Sequence, residues 1–208
     1  MRKITIIALL AFGLVAGMVA VMAFVFGDLR ITRFIQRFDG RYFHWLMLAV
    51  SWPGYFGRQW VVAFCVAALL LRFRLKVEAA CLLISLGSIW LLTNAIKIIV
   101  GRPRPSPDMV HVYEYPANCS FPSGHVTSYM ALYGFLFYLV YTLMRPSPLR
   151  SALLIVLGAL IGLVGLSRVY LGAHWASDVF GGYCLGFFWL ALTTYFYRRL
   201  RVGQTNGL

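Results

Sequence analysis

The side chains best suited to chemistry fall in three short stretches: KIIVGRPRP at residues 97–105, PSGH at 122–125 and SRVYLGAHWASD at 167–178. The first and third supply cations in Lys97, Arg102, Arg104 and Arg168. Lysine offers a point charge, and arginine offers a planar fork that matches two phosphate oxygens. Pro103 and Pro105 fix the turn that holds Arg104. In the second stretch a helix begins at or near Ser123, followed by Gly124 and His125. A helix N-terminus has free N–H groups and a partial positive charge, so it binds anions. Glycine lets an anion approach the backbone, and histidine can hold or give a proton near neutral pH. In the third stretch His174 and Asp178 are four apart, a spacing that lets side chains meet on one helical turn. A carboxylate bonded to one imidazole nitrogen fixes the tautomer and raises the basicity of the other. These residue types describe a phosphate site beside an oriented histidine.

Each residue also has a purely structural use. Ser123 can cap its helix, Asp178 can cap the next one, and residues 97–105 can be cations snorkelling to a membrane surface. Arg102 suits a second phosphate, a lipid head group or that same surface. What favours chemistry is that all three stretches fall on one face of the topology that the apolar runs impose.

Those runs dominate the chain. Of 208 residues, 61% are apolar and only 12% charged, too much apolar surface for a soluble domain of this length. The net charge of +13 does not point to nucleic acid. The Lys and Arg residues sit in short clusters between apolar runs, as in membrane proteins. Six runs approach or reach the roughly 20 residues that cross a bilayer, at 4–27, 59–71, 77–96, 124–144, 152–166 and 179–197. The second and fifth are short and must borrow flanking residues. The first reads as an uncleaved anchor rather than a signal peptide. With six spans, the clusters MRK, RFRLK, RPSPLR and RRLR share a side, which the positive-inside rule makes the cytoplasm. Both termini are then cytoplasmic, and segments 28–58, 97–123 and 167–178 face outward.

In DLRITRFIQRF, Ile31, Phe34, Ile35 and Phe38 share one helical face beside a stripe of Arg30, Arg33, Arg37 and Arg41. This predicts a short amphipathic helix in the membrane interface after the first span. RYFHWLMLAVSW is too short to span and should pack against it, with His44 a satisfied polar group. Gly158 with Gly162 and Gly182 with Gly186 are spaced for close helix packing. Cys65, Cys81 and Cys184 lie in apolar runs and Cys119 in a loop, with no obvious disulfide or metal site. No repeat or linker divides residues 1–208, so the expectation is a single all-α, membrane-embedded domain.

The three stretches together resemble the signature of the type 2 phosphatidic acid phosphatase superfamily. That signature is Lys, six residues, Arg-Pro; then Pro-Ser-Gly-His; then Ser-Arg, five residues, His, three residues, Asp. Here it is filled by Lys97, Arg104 and Pro105, by residues 122–125, and by Ser167, Arg168, His174 and Asp178. The resemblance implies that His174 attacks phosphorus and forms a phosphohistidine, that Asp178 orients it, and that His125 protonates the leaving oxygen. It implies that Lys97, Arg104, Ser123, Gly124 and Arg168 hold the phosphoryl oxygens, with no metal and no cofactor. The expected activity is hydrolysis of a lipid phosphate or diphosphate, of the phosphatidic acid, phosphatidylglycerol phosphate or undecaprenyl diphosphate class, at the outer face of a bacterial plasma membrane. The partners are then the lipid substrate and the bilayer. A lipid phosphotransferase using the same histidine, and a non-catalytic lipid-binding or transport protein, are the alternatives. The loop at 106–121 should lie over the site, with His111, Tyr113 and Tyr115 facing the head group.

Overall fold

The structure, a computed structural model, describes Gly13, residues 25–55 and residues 57–205. Among these residues there is no strand. The helices are α1 (Val25–Ile35), α2 (Arg41–Ser51), α3 (Arg58–Arg72), α4 (Lys76–Val100), α5 (Gly124–Leu143), α6 (Pro148–Tyr170) and α7 (Ala176–Thr205). The expected first span at residues 4–27 lies almost wholly outside the described residues.

Helices α4, α5, α6 and α7 are each long and apolar enough to cross a membrane. They account for the expected spans at 77–96, 124–144, 152–166 and 179–197. The span expected at 59–71 differs. Helix α3 has only 15 residues, short of a bilayer crossing. It follows α2 and the 3₁₀ turn Trp52–Gly54, and the pair reaches span length only together, bent by 64°. An apolar run read alone cannot show that a neighbouring helix completes it.

The ends of the helices follow from local sequence. Helix α4 stops at Gly101, whose left-handed φ of 63° suits glycine, and the Gly101 N–H bonds Lys97 O at 2.9 Å. Lys97 is thereby placed in the last turn. Helix α6 starts with Ser147, whose hydroxyl accepts the Arg150 N–H, and with Pro148. It ends at Tyr170, where Gly172 at φ 65° turns the chain towards α7.

Helix α5 is the centre of the bundle, with α4, α6 and α7 packed around it. Residues Val126–Phe135 are buried throughout, across a widened π-helical turn at Met130–Gly134. The surrounding helices carry exposed Ile98, Ile99 and Ile155, as lipid-facing surfaces do. Polar groups buried between helices bond each other, as Thr93 does with Thr127 at 3.1 Å. Helix α2 packs chiefly on α6, where Met47 meets Tyr170 and Leu171, and Ile35 of α1 joins that cluster. His44 lies 3.3 Å from the Tyr170 hydroxyl, the satisfied polar role expected of it. The four cysteines are unpaired.

The two glycine pairs behave differently. A Cβ on Gly182 or Gly186 would press into Val126 or Met130 of α5, whereas one on Gly162 would meet nothing within 4 Å. Gly186→Ala is therefore expected to cost about 1–3 kcal/mol by overpacking. Gly162→Ala should be neutral or mildly stabilising. Thermal unfolding of both variants in detergent checks the contrast.

Candidate active site

The three stretches converge at one end of the bundle. Lys97 closes α4, Ser123 to His125 open α5, Arg168 lies in the last turn of α6, and Asp178 lies in the first turn of α7. The turn before α7 brings His174 back to Arg168. The Arg168 carbonyl accepts the N–H groups of Ala173 at 3.1 Å and His174 at 3.2 Å. His174 therefore precedes the helix rather than riding on it, yet it still meets Asp178. A cavity of about 260 Å³ is lined by Lys97, Arg104, Gly124, His125, Arg168 and His174. Asp178 stands behind His174, wholly buried.

His174 is itself nearly fully buried. Arg104 Nη1 lies 3.1 Å from its Nε2 and also donates to the Ala173 carbonyl. A guanidinium has no lone pair to offer, so Nε2 must accept, and the neutral ring must carry its proton on Nδ1. That nitrogen faces Asp178 Oδ2 at 3.6 Å, an ion-pair distance longer than a hydrogen bond, and Ser120 Oγ at 3.5 Å. Burial, with Arg104, Lys97 and Arg168 nearby, holds the His174 pKa well below its ordinary value. The ring is neutral near pH 7, with a lone pair on Nε2 directed to the cationic side of the cavity.

Backbone carbonyls position the cations. Lys97 Nζ donates to the carbonyls of Cys119 at 2.6 Å and Ser120 at 3.2 Å. Arg104 donates to Asn118 O and Oδ1, both at 2.6 Å. Burial and Arg168 lower the Arg104 pKa to about 10, so it stays charged at neutral pH. Arg168 donates to Ser51 Oγ at 2.5 Å and pairs with Glu114 at 2.8 Å. Glu114 also accepts the Tyr55 hydroxyl. A carboxylate is thus the anion that Arg168 holds in this structure.

Three buried polar atoms here have no hydrogen-bond partner among the described residues: Ser123 Oγ, His125 Nε2 and Arg168 Nε. Buried polar groups are nearly always satisfied, so these three are exceptions; His125 and Arg168 line the cavity, whereas Ser123, expected to hold phosphate, does not. Ser123 occupies the N-cap position of α5 in backbone terms, but its hydroxyl makes no capping bond. A Cβ on Gly124 would meet only Lys97 Cε at 3.9 Å, so protein packing does not require glycine there. Gly54 is different, since a Cβ would overlap the His125 ring. Among the described residues, no group of three or more His, Cys, Asp or Glu side chains is arranged to hold a metal ion.

Comparison with known proteins agrees with this geometry. The family model of the PAP2 superfamily matches residues 78–201, which contain all three stretches. The chain belongs to the PAP2 superfamily. It is similar to phosphatidylglycerophosphatase B of Bacillus subtilis, 34% identical over 116 residues, 55% of each chain. It is also similar to an undecaprenyl-diphosphatase of Sulfolobus acidocaldarius, 32% identical over 136 residues, 63% of this chain and 61% of the other. The chain spans somewhat over half the length of these relatives. Among solved structures, a transmembrane PAP2 type phosphatidylglycerolphosphate phosphatase from Bacillus subtilis superposes with a TM-score of 0.83 at 25% identity, covering 94% of this chain and 96% of that one. With its several apolar helices, this PAP2 chain is a multi-pass membrane protein.

Several residues at the PAP2 site escape a reading of the sequence. Ser120, Ser51, Glu114 and Tyr55 have no motif, and only the folded chain brings them in. Of the loop residues expected over the site, Tyr113 stacks on Tyr170 and Tyr115 is exposed, while the His111 backbone bonds Gln36. The cavity is walled instead by Glu114, Pro116 and Asn118 of the same loop.

The depressed His174 pKa has a spectroscopic consequence. As pH falls through 6.5, the ordinary histidine value, His174 should remain neutral with its proton on Nδ1. Nitrogen-15 imidazole shifts, assigned by comparison with His174→Gln, check this. An imidazolium at His174 already at pH 6.5 would contradict the geometry.

Proposed function

We propose that this protein is a metal-independent lipid phosphatase that works through a phosphohistidine on His174. The observation that carries the reading is His174 Nε2, a neutral nitrogen whose lone pair accepts from Arg104 at the wall of a cavity also lined by Lys97, His125 and Arg168. As the phosphate enters, Arg104 Nη1 turns from Nε2 to a phosphoryl oxygen, the freed Nε2 lone pair attacks phosphorus, and the bond to the lipid oxygen breaks. His125 gives that oxygen its proton, and Asp178 steadies the imidazolium that forms. Lys97, Arg104, Arg168, the Ser123 hydroxyl and the Gly124 N–H hold the phosphoryl oxygens as charge shifts between them. Water then attacks the phosphohistidine, gives up a proton to His125, and releases phosphate and free His174.

The substrate class follows from the relatives and from the membrane setting. A phosphomonoester or diphosphate on a lipid, of the phosphatidylglycerol phosphate, phosphatidic acid or undecaprenyl diphosphate kind, presents its phosphate at the depth where the helix ends meet. We place that end at the outer face of a bacterial plasma membrane, with six spans and both termini in the cytoplasm. Ile31, Phe34 and Phe38 are exposed beside exposed Arg30, Arg33 and Arg37, which supports α1 and its following turn as an interfacial element.

Phosphate release from a panel of lipid phosphates by purified protein in detergent with EDTA tests the reading. Release should survive EDTA and vanish in His174→Ala. His125→Ala should lower kcat by about 10²–10⁴-fold, most for poor leaving groups. Full activity in His174→Ala would overturn the mechanism. No phosphate release, but transfer of the phosphoryl group to an added acceptor lipid, would make the protein a phosphotransferase.

A further inference from the structure

Arg102 carries a charge in the first stretch that the signature does not use, and it does not line the cavity. It is buried behind it. Nη1 donates to Asp178 Oδ1 at 2.5 Å and to Ser177 Oγ at 2.7 Å, and Nη2 donates to Asp28 Oδ2 at 2.7 Å. Asp28, on α1, is itself buried. Its Oδ1 accepts the Ser177 N–H at 2.8 Å and its Oδ2 the Ser177 hydroxyl at 2.6 Å. Asp28 thereby satisfies an N–H at the start of α7 while it holds the guanidinium.

The two oxygens of Asp178 are consequently divided. Oδ1 belongs to Arg102. Oδ2 accepts Ser120 Oγ at 2.5 Å and the Trp175 N–H at 2.8 Å, and faces His174 Nδ1. A carboxylate tied at both oxygens cannot rotate, and two carboxylates in one buried site need a cation between them. Burying three charges is a poor way to gain stability, so the network calls for another explanation. Its end point is the residue that aims His174.

We propose that Asp28 and Arg102 form a positioning strut that holds Asp178, and through it the His174 ring, without contacting substrate. The strut makes α1, outside the three motif stretches, part of the machinery of the site. This rests on the reading of His174 as the group that bonds phosphorus.

Two anions separate positioning from binding in the purified full chain. Inorganic phosphate needs only the cations of the cavity. Orthovanadate can in addition bond a well-aimed imidazole nitrogen, so its affinity reports the aim of His174. In Arg102→Gln and in Asp28→Asn, phosphate affinity should stay within about twofold while vanadate affinity falls about tenfold or more, as in Asp178→Asn. Arg102→Gln should add less than about twofold when Asp178→Asn is already present, since both act through one carboxylate. Arg104→Gln should weaken both anions.

Equal weakening of phosphate and vanadate in Arg102→Gln would make Arg102 an anion ligand and overturn the strut. So would unchanged vanadate binding in both Arg102→Gln and Asp28→Asn. If Arg102→Gln fails to fold, the nearly isosteric Asp28→Asn decides the matter by the same two affinities. Wild-type protein that binds phosphate, and vanadate no more tightly than His174→Ala does, would overturn the phosphohistidine reading and the strut with it.

Discussion

Arg104 can only donate hydrogen bonds, and it donates one to Nε2 of His174 at 3.1 Å. The rest of the site is arranged around that constraint. Nε2 must keep its lone pair, so the ring proton goes to Nδ1, on the side where Asp178 and Ser120 wait. Burial first, and the surrounding cations with it, keep the ring neutral. The same charges that attract a phosphate dianion thus preserve the nucleophile proposed to attack it. A protonated ring here would repel Arg104, lose its lone pair and leave nothing to react.

Helix ends make this possible in a membrane. Lys97 and Arg168 lie in the last turns of their helices, and Ser123 and Asp178 at or near the start of theirs. Around such ends, loop and helix-start backbone groups are free to be used. Lys97 takes the carbonyls of Cys119 and Ser120, and Asp178 takes the Trp175 N–H. The close approach of α7 to α5 at Gly182 and Gly186 sets how near these ends come. Packing in the apolar part of the bundle therefore fixes distances in the polar part.

Much of this was legible in the residues, for physical reasons that also define where legibility stops. Apolar runs mark α4 to α7 because a lipid-facing helix must be apolar along its length. Lys97, Arg104, His125, Arg168, His174 and Asp178 stand out because their types and spacing recur in three stretches that the apolar runs put on one face. The run at 59–71 is legible only as a short one that must borrow flanking residues, and α3 reaches span length only together with α2 across a bend, which hydropathy of one segment does not encode. The pairing of Asp28 with Arg102 is hidden for another reason. The Asp28–Ser177 bond joins residues 149 apart in the chain, and neither partner has a telling local pattern. In the 106–121 loop the aromatic residues drew attention, yet the cavity is walled by Glu114, Pro116 and Asn118. Which side of an irregular loop faces inward depends on its anchors, here the hydrogen bonds of Gln36 and Arg33 to its backbone.

The most direct test of the central claim is to trap the covalent intermediate. Wild-type protein would be mixed with a lipid carrying a labelled terminal phosphate, quenched in alkali within milliseconds, and mapped by mass spectrometry. An acid-labile, base-stable phosphoryl group is expected on Nε2 of His174, absent from His174→Ala. Turnover without label at His174, or label on any other side chain, would contradict it.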